Sequence, residues 1–288
     1  MESYRLEGQT FVIDDYDRKP AFSSFLPGLA GVKGIPLWTF YTNRGQGMNS
    51  FGIDNKGNAI MEFNSANTAF ENTQVKGFRT FLKIDGEYYE PFFTYEKEAK
   101  RQMRMNKNSF KIIETNEKYG IEVTVNYYVL PNESIGALVR QVSVKNIGDS
   151  AKEVQVIDGL PKIITYGIAN GEFKEMSNLF KSWADIRNLE NKVPYYTLRA
   201  STKDSAEVSD VEGGYYYLTV RDGKLQDVIY DVDTVFGYDL SLMTPVNFID
   251  GSIEGVLSKE QCFANKVPCG FTPFKEVVEP GKKLAFDT

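Results

Sequence analysis

The 288-residue sequence contains no histidine. That absence removes the imidazole with which Ser-His-Asp and Cys-His systems move a proton near neutral pH. Common zinc sites need histidine, or more cysteine than the two present, Cys262 and Cys269. Carboxylate chemistry, or no chemistry, is what remains. The 39 aspartates and glutamates are plentiful, but a glycosidase needs two of them at a fixed separation across one sugar. No such pair is marked: Asp14, Asp15 and Asp17, and Asp204, Glu207, Asp210 and Glu212, read as turn or solvated-loop acids. No Asp-x-Asp-x-Asp-Gly calcium loop occurs, and no cofactor is implied.

Positive charge is also scarce. The net charge is −6, whereas a nucleic-acid binder carries a basic face to neutralise phosphates; nucleic acid is not expected as a partner. The one basic cluster, Lys97, Lys100, Arg101, Arg104 and Lys107, reads as a solvated face. Long apolar runs are missing as well. The least polar stretch, residues 25–41, is broken by Lys33 and by glycines and prolines, so it does not make a membrane-spanning helix of about 20 apolar residues. The polar start, Met1 to Arg5, has no apolar core of a secretory signal. A cytoplasmic protein with no membrane contact is the expectation. The cysteines then read as two buried thiols rather than a disulfide.

Aromatic residues are abundant: 20 Phe, 17 Tyr and 2 Trp make up 14 % of the chain. Phe and Tyr favour strands and dominate cores, and flat aromatic faces also suit sugar rings. Short β-branched runs bounded by Gly, Asn, Asp or Pro recur throughout, as β-sandwiches require. In residues 120–130, Ile121, Val123, Val125, Tyr127 and Val129 alternate with Glu122, Thr124, Asn126 and Tyr128, giving one buried and one wetter face. A strand follows at 136–146, then a turn at 146–149 read as a hairpin, then a returning strand at 153–157. Further strands are expected at 37–41, 49–53, 59–63, 79–84, 88–95, 195–201, 214–221, 227–232 and 235–238.

One stretch departs from period two. Phe173, Met176, Leu179, Phe180, Trp183 and Ile186 recur at spacings of three and four, which predicts one inserted helix of about four turns over 171–186. Trp183 reads as core, with a place in a cleft as the alternative. No repeat or linker divides the chain, so residues 1–288 form a single domain. After the turn at Pro280 and Gly281 a strand starts and stops within a few residues. This reads as truncation at the C-terminus, because an unpaired edge gains little from such a strand; a frayed tail is the alternative.

Several segments resemble the N-terminal region of large inverting glycoside phosphorylases, cellobiose-phosphorylase-like enzymes acting on β-glucan oligosaccharides. They are FVIDDY at 11–16, PAFSSFLPGLAG at 20–31, GIPLWTFYTNRGQG at 34–47, SFG at 50–52, GFRTFL at 77–82, LVRQVSV at 138–144 and IDGLP at 157–161. The resemblance implies a mainly β fold, a large antiparallel β-sandwich of the supersandwich, galactose-mutarotase-like type. It implies a helical linker and an (α/α)6 catalytic barrel beyond this chain, in the same or a neighbouring polypeptide, with the catalytic residues in that barrel. No catalytic residue is carried over. The sandwich of such an enzyme supports the barrel's active site, contributes to acceptor binding and forms the homodimer contact; a β-glucan oligosaccharide is the implied ligand. Arg44, Gln46 and the helix around Trp183 are the candidates for the contributing loops, and Trp38 for a sugar platform. The competing expectation is a free-standing carbohydrate-binding module with exposed aromatic faces at Trp38, Tyr88 and Tyr89.

Overall fold

The computed structural model describes residues 3–93, 98–201, 206–207 and 209–288. Lys97, Asp204 and the end of the strand expected at 88–95 lie outside the described residues. Tyr4–Glu7 (β1) and Thr10–Asp14 (β2) form a hairpin, and Ser23–Leu26 (β3), Leu37–Thr42 (β4), Met48–Ile53 (β5) and Ala59–Met61 (β6) make a four-stranded sheet. Helix α1 (Ala66–Lys76) leads to Arg79–Ile84 (β7) and Glu87–Tyr89 (β8). The meander Lys100–Met105 (β9), Ser109–Asn116 (β10), Ile121–Val129 (β11) and Leu138–Asn146 (β12) follows, then Lys152–Leu160 (β13) and helix α2 (Asn170–Lys181). Ala184–Arg187 (β14), Tyr195–Leu198 (β15) and Tyr215–Tyr216 (β16) form a small sheet. Val220–Arg221 (β17) and Lys224–Leu225 (β18) precede the short helices α3 (Val232–Phe236), α4 (Val246–Asp250) and α5 (Ile253–Leu257). Gly270–Val278 (β19) and Lys283–Asp287 (β20) come last.

Strand accounts for 39 % and helix for 16 %, so the fold is mainly β and sandwich-like, as the patterning implies. One sheet has nine strands in the order β1-β2-β9-β10-β11-β12-β20-β17-β18; facing it is a second, β19-β13-β7-β8. The main core fills the space between them. Val123, Val125, Tyr127, Val142 and Val144 from the first sheet meet Leu82, Ile84, Val154, Val156 and Phe274 from the second. Each such side chain, fully buried, contributes about 1.5–3 kcal/mol, and the alternation in β11 decides which ones point inward.

The residues at 146–149 do not make a hairpin. β12 lies in the nine-stranded sheet and β13 in the facing one, so the turn carries the chain across the sandwich. The turn at 280–281 makes a second crossing, from β19 to β20. Buried Asn146 ties the two arches together: its Nδ2 donates to Ser150 O (2.7 Å) and Val278 O (2.8 Å), and its Oδ1 accepts from Gly148 N (2.9 Å). β20 is therefore no unpaired edge; it pairs with β12 on one side and β17 on the other.

The back of the β13 sheet is covered by α3, α4 and α5. Phe81, Ile157 and Phe271 face Val235, Phe236, Phe248, Ile253 and Val256 in a second core. The strand expected at 235–238 is thus a correction: Asp231 caps a helix there by accepting from Asp233 N (3.1 Å). Of the strand expected at 227–232, only a bridge from Ile229 to Phe271 forms. Helix α1 has no counterpart in the sequence reading, because only Ala69 and Thr73 of it are buried and no apolar stripe marks it. Helix α2 ends at Lys181, earlier than 186; Phe173 and Phe180 are buried, Met176 and Leu179 are exposed, and Ile186 belongs to β14. No helix among the described residues is long and apolar enough to cross a membrane. Cys262 is exposed and Cys269 buried, both as free thiols, so only one of the pair is the buried thiol expected.

Candidate functional site

The residues of the resembling segments converge. Gln46, from the loop joining β4 to β5, Thr80 from β7, Arg140 from β12 and Asp158 from β13 meet in one fully buried network between the two large sheets. Arg140 pairs with Asp158 through Nη1 and donates to Gln46 Oε1 through Nη2. Its Nε donates to the Tyr127 hydroxyl (3.1 Å). Thr80 donates to Asp158 Oδ1 (2.6 Å) and accepts from Gln46 Nε2 (3.0 Å). Burial opposes the charge on Arg140, but Asp158 and Tyr127 outweigh it and hold the guanidinium firmly protonated. Burial pushes the Tyr127 hydroxyl up to about 12. Gly159 beside Asp158 sits at φ 155°, where a Cβ would strike the Gly270 carbonyl, so the glycine of IDGLP lets β19 approach.

Two further buried arginines follow the same plan. Arg79 holds Glu90 through Nε to Oε1 (2.7 Å) and Nη2 to Oε2 (2.8 Å), and also binds the Leu242 and Met243 carbonyls. Arg101 holds Asp17 (2.6 Å) and Glu114 (2.5 Å) and donates to Phe93 O. The basic cluster is therefore not one solvated face. Arg101 points inward with its side chain 2 % exposed, while Lys100 pairs with Glu117 in solvent. Asp17, expected in a solvated loop, has its side chain only 10 % exposed. In these dry positions a carboxylate neutralises an arginine and positions strands.

The four candidate residues do not form one site. Gln46 is 3 % exposed and spent in the Arg140 network. Its neighbour Arg44 is partly exposed and donates to the Asn43 (2.8 Å) and Lys19 (3.2 Å) carbonyls, bracing its own loop. Trp38 and Trp183 both pack part-buried against a third core cluster around α2, Trp38 beside Phe63 and Trp183 beside Phe180. Trp38 donates to Asn55 O (2.9 Å) and lies edge-on to Phe63, and Phe63 touches Phe40 and Phe40 touches Phe25 in turn. Of the other expected platforms, Tyr89 is buried and stacked on Tyr119, and Tyr88 is half-buried against Phe248.

Two concave regions open on either side of β12. One is a cleft of about 510 Å³ with apolar walls, among them Leu37, Phe51, Leu138, Leu160 and Tyr215. The other is a groove of about 290 Å³ on the outer face of the nine-stranded sheet, lined by Lys111, Thr124, Asn126, Gln141, Ser143 and Asp287 with their neighbours. A ladder of amides runs across the groove: Asn126 Nδ2 donates to Gln141 Oε1 (3.1 Å), and Gln141 Nε2 donates to Asp287 Oδ1 (3.1 Å). Planar amides, hydroxyls and lysines match the alternating donors and acceptors of sugar hydroxyls. Asp287 is the carboxylate among the lining residues, half of what acid–base cleavage of a glycosidic bond requires. The sequence reading missed the ladder, although its signal was present in the wet positions Thr124 and Asn126 of β11. A comparison of the chain with protein-family models and with curated proteins finds no match to either.

Proposed function

We propose that this chain is the non-catalytic N-terminal β-sandwich domain of a cytoplasmic β-glucan oligosaccharide phosphorylase. It supports the active site of an (α/α)6 barrel carried in the same or a neighbouring polypeptide, shares in acceptor binding and takes part in a homodimer. The observation that carries this reading is the convergence of TNRGQG, GFRTFL, LVRQVSV and IDGLP on the Gln46–Thr80–Arg140–Asp158 network. Scattered pieces that resemble one family lie far apart in sequence yet meet at a single place that joins the two sheets. The resemblance thus falls on residues with a common physical task rather than on unrelated turns.

The test is phosphorolysis. The chain alone, mixed with phosphate and laminari-, sophoro- or cello-oligosaccharides, is expected to release no glucose 1-phosphate; release would overturn the reading. Sequencing the gene beyond the codon for Thr288 supplies the complementary test, since the reading expects an open frame encoding a helical-repeat barrel. The amide ladder favours a second reading, a free-standing carbohydrate-binding module. Calorimetric titration with soluble β-glucans decides that one: saturable heat that disappears in Gln141→Ala supports it, and no heat with any β-glucan removes it.

A further inference from the structure

A small polar pocket lies where α1 packs beside β5 and β6, away from the Arg140 network and from the groove. Its walls include Asn49, Glu62, Asn72, Thr73, Lys76 and Lys162, and they leave a space of about 20 Å³. That space admits one oxygen-sized group, since about 10–15 Å³ holds a single water.

Asn49 sets the chemistry. Its side chain is 5 % exposed, and its Nδ2 is buried with no hydrogen-bond partner. A buried N–H donor left without an acceptor costs about 1–3 kcal/mol, so the position calls for an acceptor in the pocket. The charges around it favour an anionic one. Lys76 and Lys162 both line the pocket, and Lys76 makes no ion pair among the described residues. Lys162 pairs with Glu62 at 3.2 Å and lies 4.5 Å above the Phe173 ring. Its pKa is lowered, first by burial and further by Lys76 and Lys181, while Glu62 opposes the shift. Two ammonium groups therefore outweigh one carboxylate beside an amide that can only donate at Nδ2. Thr73 adds nothing to the balance, because its hydroxyl donates to Ala69 O (2.6 Å).

We propose that this pocket binds an oxyanion of the phosphate or carboxylate class, with one oxygen accepting from Asn49 Nδ2 and the charge facing Lys76 and Lys162. The site is independent of the oligosaccharide reading and holds or fails without it. A bound oxyanion would pin α1 to the edge of the β4–β5–β6 sheet, because Lys76 and Asn72 come from the helix and Asn49 from β5.

The test is titration of the whole chain with inorganic phosphate, glycerol phosphate and acetate, each against chloride at matched ionic strength, followed by the Asn49 side-chain amide resonances. Phosphate stabilises proteins generally by exclusion from their surfaces, so the control is Lys76→Gln, an exposed position whose loss leaves the core intact. The expected result is a saturable shift of the Asn49 amide signals, with binding about tenfold weaker in Lys76→Gln. Asn49→Asp, which replaces the donor with a like charge and is followed by the amide signals of Asn72 in the same pocket, should bind still more weakly. Tighter binding of phosphate and its ester than of acetate would assign the site to phosphates, and the reverse order to carboxylates. No saturable shift with any of the three, or equal binding by wild type and Lys76→Gln, overturns the proposal.

Discussion

β11 and β13 are both nine-residue central strands, and they are buried in different ways. β11 alternates buried and half-buried positions over its whole length, with one face in the core and the other in the solvent groove. In β13 the last seven residues are all buried. Val154, Val156 and Asp158 face the nine-stranded sheet, while Ile157 faces the helices α3, α4 and α5. The difference teaches that a strand's sequence pattern reports what covers its second face. Water over the back of β11 leaves an alternating pattern; helices over the back of β13 erase it. Of the polar residues inside β13, Asp158 is held by Arg140 and Thr80, while Gln155 donates to Glu153 and leaves its own Oε1 without a partner.

Placing the same charge on the second face of each strand should break this comparison most severely. Ile157→Asp buries an unpaired carboxylate among Phe81, Phe236 and Phe271 and is expected to cost more than about 5 kcal/mol, enough to abolish folding. Thr124→Asp on the wet face of β11 should change stability by less than about 0.5 kcal/mol. Urea unfolding of the pair measures the contrast, and equal effects would mean that the helices do not seal the back of β13. Asp158→Ala comes next in size. It leaves Arg140 charged and dry, which costs about 3–5 kcal/mol. A double variant, Arg140→Met with Asp158→Ala, should recover part of that loss, because the stranded charge is gone; no recovery would show that packing rather than charge sets the cost.

The same comparison marks how far the sequence could be read. The strand with water on one face was legible, 120–130 matching β11 to within a residue at each end. The stretch 79–84 also coincides with β7, which is covered on both faces but is bounded by Gly77 and Gly86. The resembling segments were legible as pieces, but their meeting at Arg140 was not, because each contributes one or two residues from a different strand. Where both faces are covered, periodicity says little. Val232, Thr234 and Val235 favour strands by propensity, yet they fold as α3 because Asp231 caps the turn and Phe236 finds Phe81 and Phe271. The crossing at 146–149 looked like a hairpin because local turn chemistry is the same whether the next strand pairs beside the last or across the core. Only Asn146, reaching Val278 in the neighbouring arch, distinguishes the two. Asn146→Ala should accordingly cost about 2 kcal/mol, from the Ser150 and Val278 carbonyls it leaves without their donor and the Gly148 N–H it leaves without an acceptor. Chemical denaturation checks it, and a cost under about 0.5 kcal/mol would mean that the arches are held by the strands alone.

The effect smallest per pH unit tests one of the inward positions where the alternating sheet carries a polar group, as it also does at Arg101, Asn116 and Arg140. Glu114 on β10 points into the core at a site where Phe110 and Ile112 set the apolar pattern. The titratable groups around it are Arg101 on β9 and Asp17 and Tyr16 on the segment after β2. Burial, opposed by the Phe92 N–H donor and reinforced by Asp17, pushes Glu114 up to about 8. Its ordinary value in the unfolded chain is near 4.5, so the folded protein binds the extra proton between those limits. Its contribution to stability is therefore full below about pH 4.5, falls as the pH rises, and is gone above about pH 8. The slope in that window is at most about 1.4 kcal/mol per pH unit. Glu114→Gln keeps an acceptor for Phe92 N and for Arg101 but cannot titrate, so the slope should vanish in the variant while stability at pH 5 stays close to wild type. Unfolding midpoints measured from pH 5 to pH 9 decide it. An unchanged slope in Glu114→Gln would place the titration on another group and leave β10 as regular as β11.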